Sequence, residues 1–243
     1  MAAFCLAALN KEAALLNNPW VDLPEHANYI APCDIQALKD PKYKLYGLRF
    51  DAFPEPFGGN LDSAKVVCLL LNPGFDETDT TTNFDNEYWV REVRANLEHK
   101  TESPFLYLSS KVENTGGYKW WSAKIRPLEL AGVTRNDLAN GLMMIEFFPY
   151  HSVSYTYNKQ YIPSQYYQFL LVREAMRLGK TIIVMRARDR WLEAVPELKT
   201  YPYLELNSYL NVSISRANLD NKNGIGTFDN IVTLLKDKDQ DVT

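Results

Sequence analysis

Four short apolar runs punctuate the chain. Val66-Val67-Cys68-Leu69-Leu70-Leu71 is apolar at every position and β-branched at its start, the pattern of a strand buried on both faces. Leu142-Met143-Met144-Ile145-Glu146-Phe147-Phe148 and Thr181-Ile182-Ile183-Val184-Met185 repeat the pattern, and a weaker fourth strand falls within 203–212. Helical periodicity fills the gaps between them. It predicts helices over 85–98, with Trp89, Val93 and Leu97 on one stripe, and over 165–178, closed by Gly179 at its C′ position. Shorter helices are expected over 120–130, with Pro127 inside and Gly132 beyond, and over 227–236. Thr134, Asn136 and Asp137 are N-cap candidates. A helical pattern over 2–16 stops at Asn17-Asn18-Pro19, and the alternation over 44–50 predicts an edge strand.

Buried strands alternating with helices of this length predict an α/β fold, read here as a three-layer α/β/α unit around a central, mostly parallel four-stranded sheet. The predicted organisation is an N-terminal extension over 1–60 packed on the core, the α/β domain over 61–236, and a polar tail over 237–243. In such sheets ligands sit beyond the carboxyl ends of the strands. The predicted strands end in Asn72-Pro73-Gly74-Phe75, in Pro149-Tyr150-His151, in Arg186-Ala187-Arg188-Asp189-Arg190, and in Asn211-Val212-Ser213-Ile214-Ser215-Arg216. The polar stretch 76–83 after the first of these reads as an exposed or lid-like loop.

Composition narrows the chemistry. No apolar run approaches the roughly 20 residues of a membrane helix, and the apolar start lacks a basic leader. The 3 cysteines, Cys5, Cys33 and Cys68, are widely spaced and odd in number, which disfavours a disulfide framework and suits a reducing cytoplasm. His26, His99 and His151 have no metal-ligand spacing, so neither a metal nor a cofactor is expected. A formal charge of −4 means that any nucleic-acid contact must come from a local basic patch.

Asn72-Pro73-Gly74 after an apolar strand resembles the first motif of the uracil-DNA glycosylase superfamily, in its mismatch-specific and single-strand-selective branches. Asn211-Val212-Ser213, running on to Ser215-Arg216, is similar to that superfamily's second signature, and Glu146 to Pro149 falls where one branch has an Asn three residues before a Pro. The resemblance covers roughly 64–236. Leu70 stands where the family has Gly, Val212 where it has Pro, and Glu146 where it has Asn.

The resemblance implies a DNA-binding hydrolase that cleaves the N-glycosidic bond of a damaged or modified pyrimidine-type base. Asn72 would orient water through its amide oxygen, since an amide is no general base. Asn211 would donate to an oxygen of the leaving base. Leu71, Pro73, Gly74, Phe75, Phe147, His151 and Ser213 would line the base site, with Phe75 stacking on it. Glu146, read as an ionised acceptor, would suit an exocyclic amine or ring N–H and repel a carbonyl, which points away from plain uracil. A structural ion pair with an arginine is the other reading of Glu146. Arg186, Arg188, Ser215 and Arg216 would contact the DNA backbone, helped by Lys119 and Lys124, and Ile214 would be a wedge. The alternative is an inactive relative that binds nucleic acid, a nucleotide or a protein.

Overall fold

The computed structural model describes residues 17–75, 80, 84–101, 104–155 and 160–236. The helix expected over 2–16, most of the 76–83 loop and the 237–243 tail lie outside these residues. The strands are β1 (Leu48–Arg49), β2 (Phe57–Gly58), β3 (Val66–Leu69), β4 (Leu142–Ile145), β5 (His151–Ser152), β6 (Thr181–Val184) and β7 (Leu204–Glu205). The α-helices are α1 (Glu87–Leu97), α2 (Gly116–Leu130), α3 (Arg135–Gly141), α4 (Gln165–Arg177), α5 (Arg188–Ala194), α6 (Arg216–Asn223) and α7 (Thr227–Lys236).

The main sheet runs β2-β4-β3-β6-β7 and is parallel except for β2. It therefore has five strands rather than the four expected. The additional strand is two residues long and lies between a proline-rich loop and Gly59, so no alternation marks it. Gly59 has φ +106°, and a Cβ there would stand 2.7 Å from the Leu142 carbonyl oxygen, so only glycine lets the chain pass this close to β4. The described part of the 1–60 segment thus supplies an edge of the main sheet. It also buries Trp20, Tyr29, Tyr43 and Phe53 in the same core cluster as β3 and α4.

Period-two alternation along β3, β4 and β6 builds two cores. Val67, Leu69, Met143, Ile145, Ile182 and Val184 face one cluster, closed by residues of α1, α4 and α5. Val66, Cys68, Leu142, Met144 and Ile183 face the other, closed by residues of α2, α3, α6 and α7. Helices thus cover both faces. Among the described residues no helix is long and apolar enough to cross a membrane. The chain leaves β3 to form β4 on one side and later returns to place β6 on the other. That reversal opens a crevice between the carboxyl ends of β3 and β6, the usual ligand position in open α/β sheets.

A fully buried carboxylate ties the N-terminal segment down. Asp34 accepts from the Tyr150 hydroxyl at 2.7 Å and from the Ser164 N–H at 2.9 Å, while the Tyr150 oxygen accepts from the Ala31 N–H. Burial raises the Asp34 pKa, and the Ser164 and Tyr150 hydrogen bonds only moderate the rise. A folded pKa above the unfolded value means the stabilisation is complete below the unfolded carboxylate range and declines as pH rises through the folded value. Asp34→Ala orphans two buried donors, and urea denaturation at neutral pH is expected to show a loss of about 2–4 kcal/mol.

Candidate functional site

β3 ends in a turn tied down by several hydrogen bonds. The Asn72 amide nitrogen donates to the Pro73 carbonyl and to Ser152 Oγ, each at 2.8 Å. A carbonyl only accepts, so the nitrogen must face it and Oδ1 points the other way. Oδ1 has no hydrogen-bond partner among the described residues. β5 clamps the turn: the Ser152 N–H donates to Pro73 O, Gly74 bridges Ser152, and His151 Nδ1 donates to Gly74 O at 2.6 Å. With Nδ1 protonated by that contact, His151 Nε2 faces Glu55 Oε1 at 3.2 Å. The Phe75 ring carries the Arg49 guanidinium 3.8 Å from its centroid and meets the His151 ring edge-on.

Apart from Arg49, these residues line a cavity of about 530 Å³ beyond the carboxyl ends of β3, β4 and β6. Asn72, Pro73, Gly74, Phe75, Leu71, Glu146, His151 and Arg186 all border it, so most of the expected base site is brought together. Tyr107, Trp120, Trp121 and Tyr155 add aromatic walls, and Glu55 and Ser152 add polar ones. Sequence reasoning missed these six. The only available signal was the aromatic pair after Gly116-Gly117, because Glu55 sat in an unremarkable proline-rich loop. Gly116 and Gly117 begin α2 and place its N-terminus, the positive end of the helix dipole, on the cavity wall. A Cβ on Gly117 would fall on the Tyr107 ring, so this glycine sets how closely that wall packs.

Glu146 follows β4 and is only 6% exposed. Among the described residues its Oε2 has no hydrogen-bond partner and it forms no close salt bridge, though Arg186 acts on it electrostatically. Burial, then repulsion from Glu55, push its carboxyl well above the usual carboxylate range, against the pull of Arg186. The favoured form is the neutral acid. A neutral carboxyl presents one donor and one acceptor side by side and does not repel a carbonyl, unlike the purely accepting Glu146 expected from the sequence. Arg186, just beyond β6, likewise has a buried Nε without a partner among the described residues. Nearby Lys124 is held below the ordinary lysine value by burial and by Arg186.

Other expected residues lie elsewhere. Phe147 is fully buried in the aromatic core against Trp191 and Phe169, facing away from the cavity that Glu146 borders. Asn211 is exposed and borders neither this cavity nor the larger one beside it. Its loop is an internally bonded cap, in which Asn218 Nδ2 donates to the Asn211 and Ser213 carbonyls and Ser215 Oγ caps α6. Ile214 is fully buried and its N–H donates to Lys124 O, so it cannot be a surface wedge. Arg216 makes a bidentate pair with Asp229, and Arg188 is held by Tyr203, Glu205 and Asp189. Arg188, Arg190 and Lys222 border a second cavity of about 910 Å³ at the ends of β6 and β7, which shares Leu71 and Arg186 with the first. Among the described residues no three His, Cys, Asp or Glu side chains cluster as a metal ion needs. Comparison with protein-family models, curated proteins and solved structures returns no match.

The buried Glu146 carries a stability signature. Its folded pKa lies above the unfolded value of about 4.3, so its stabilisation is present in full below that value and lost as pH rises through the folded one. Glu146→Gln stays neutral throughout. Denaturation of both proteins at pH 5 and pH 9 is expected to show the variant gaining on the native protein as pH rises.

Proposed function

We propose that the chain binds DNA and hydrolyses the N-glycosidic bond of a damaged or modified pyrimidine-type base held in the 530 Å³ cavity. The observation that carries this reading is the open Oδ1 of Asn72, aimed away from an amide whose two hydrogens are already committed. Such an oxygen accepts from a water molecule and orients it without needing a base. The aromatic walls suit a planar ring, and the volume falls in the ordinary range for a small-molecule site.

Cleavage passes through an oxocarbenium-like sugar while negative charge develops on the departing base. Arg186 and the N-terminus of α2 border the cavity and suit that charge, a role the resemblance had given to the distant Asn211. The four parallel strands with helices on both faces are in keeping with a uracil-DNA-glycosylase-like arrangement, to which β2 adds an edge. Leu70 belongs to the core cluster of Phe105 and Trp121 and also borders the cavity, which keeps its volume of about 530 Å³ beside that bulk. The remoteness of Asn211 favours a second reading, in which the cavity holds a base without cleaving it.

Oligonucleotides carrying a panel of uracil and modified bases, single- and double-stranded and at low salt, test the reaction through the abasic product. Asn72→Ala is expected to lower kcat about 100-fold with KM nearly unchanged, because it removes positioning rather than binding. Ser152→Ala, which frees one amide hydrogen, is expected to cost less. Absence of abasic product from every substrate overturns the catalytic reading and leaves base binding.

A further inference from the structure

We infer that Glu146 is the proton donor to the leaving base, and that the base it serves carries an exocyclic amine beside an unprotonated ring nitrogen, as cytosine-type bases do. The inference rests on the proposed glycosidic cleavage and adds to it a reacting group and a substrate class.

The geometry comes first. Glu146 borders the cavity with a buried Oε2 that nothing in the described protein satisfies. A buried polar atom without a partner is costly, and a ligand that completes it recovers that cost. Arg186, across the same cavity, offers a second orphan, its buried Nε–H. Both side chains border the cavity with their orphaned atoms sealed in its wall, and a neutral carboxyl beside a guanidinium has one hydroxyl, one carbonyl oxygen and N–H donors with which to meet a planar ligand that draws them out. A cytosine-type edge complements that set, with the ring nitrogen accepting from the hydroxyl, the amine donating to the carbonyl oxygen, and the ring carbonyl accepting from Arg186.

The surroundings keep the proton in place. The ionisable groups facing the cavity with Glu146 are Glu55 before β2, Arg186 after β6, His151 on β5, and the hydroxyls of Tyr107 and Tyr155. His151 is turned to Glu55, and Lys124 of α2 acts on Arg186. Burial and Glu55 oppose ionisation of Glu146, and Arg186 alone among its named influences favours it. Burial and Glu55 thus favour the protonated carboxyl, the form that a general acid needs.

Chemistry selects the substrate class. A keto base leaves as a delocalised anion and gains little from a proton. An amino-bearing base is a poorer anion and departs readily only when its ring nitrogen is protonated. In the step, the Glu146 proton passes to the ring nitrogen and the bond from C1′ to the base breaks with its electron pair going to the base. Water adds its oxygen to C1′ and releases one proton, which restores Glu146 through solvent, so the net change is addition of one water across the bond.

The test uses the whole chain with single-stranded oligonucleotides carrying cytosine, 5-methylcytosine, 5-hydroxymethylcytosine or uracil. Glu146→Gln keeps a donor and an acceptor at the same edge but has no proton to give. The expected result is abasic product from at least one amino-bearing base, with kcat falling as pH rises. Glu146→Gln then lowers that kcat about 100-fold or more, with KM unchanged and the pH dependence abolished. A merely structural Glu146 would move thermal stability or KM instead. Native protein alone provides a second measurement, since its pH profile should fall for the amino-bearing base and not for uracil. Cleavage confined to uracil, or equal kcat and pH profile in Glu146→Gln, overturns the inference while leaving the glycosidic reading intact. No abasic product from any oligonucleotide overturns both.

Discussion

The last three carbonyl groups of the β3 segment hold the site together. The Leu69 oxygen accepts from the N–H groups of Met185 and Arg186, at 2.9 and 3.2 Å, and so sets where Arg186 leaves the sheet. The Leu70 oxygen accepts from the Phe147 N–H and from the Trp191 indole, at 3.3 and 2.8 Å. The Leu71 oxygen accepts from Phe148 at 2.8 Å. Glu146 is thereby pinned between β4 and these contacts, with its own N–H donated to Pro56. Buried carbonyls must find donors. Here the donors come from the segments carrying the acid and the guanidinium, so satisfying the backbone and assembling the cavity are one event.

That arrangement stores an electrostatic cost where the chemistry is proposed. Glu146 and Arg186 sit at one cavity with orphaned atoms, while most other buried polar side chains of the described protein have partners. Asp34 shows the contrast. It too is buried, yet its two oxygens receive a hydroxyl and an N–H that fasten the N-terminal segment. A carboxyl left unsatisfied against a solvent-connected volume lowers stability in the empty protein, and such local costs concentrate at functional sites.

The strongly periodic elements were legible in the sequence. β3, β4, β6 and α4 lie close to where alternation or helical periodicity put them, because their burial is decided by residues near in sequence. α5 and α6 were not read, since Arg188 to Ala194 and Arg216 to Asn223 are short and polar-rich and their one-sided burial is set by packing. α2 begins at Gly116, earlier than expected, because Thr115 caps it despite two glycines in its first turn. The first half of the site was readable because strand ends in α/β sheets converge. The second half was not. Asn211 and Ser213 occupy the expected place in order, but Asn218 curls their loop into a cap for α6, a tertiary choice that no spacing encodes.

Arg186 and Leu71 belong to the walls of two cavities at once. A guanidinium on a flexible stem has roughly 2 kcal/mol of rotamer freedom to lose when it is held in one place. Whatever occupies the smaller volume and orders that side chain bears the loss, and an occupant of the larger volume then meets a wall already set. The two volumes are thus linked through the entropy of one shared residue, with equal effect in both directions and without any movement of the sheet. Occupants of the two volumes would then behave as ligands of one receptor with two ports.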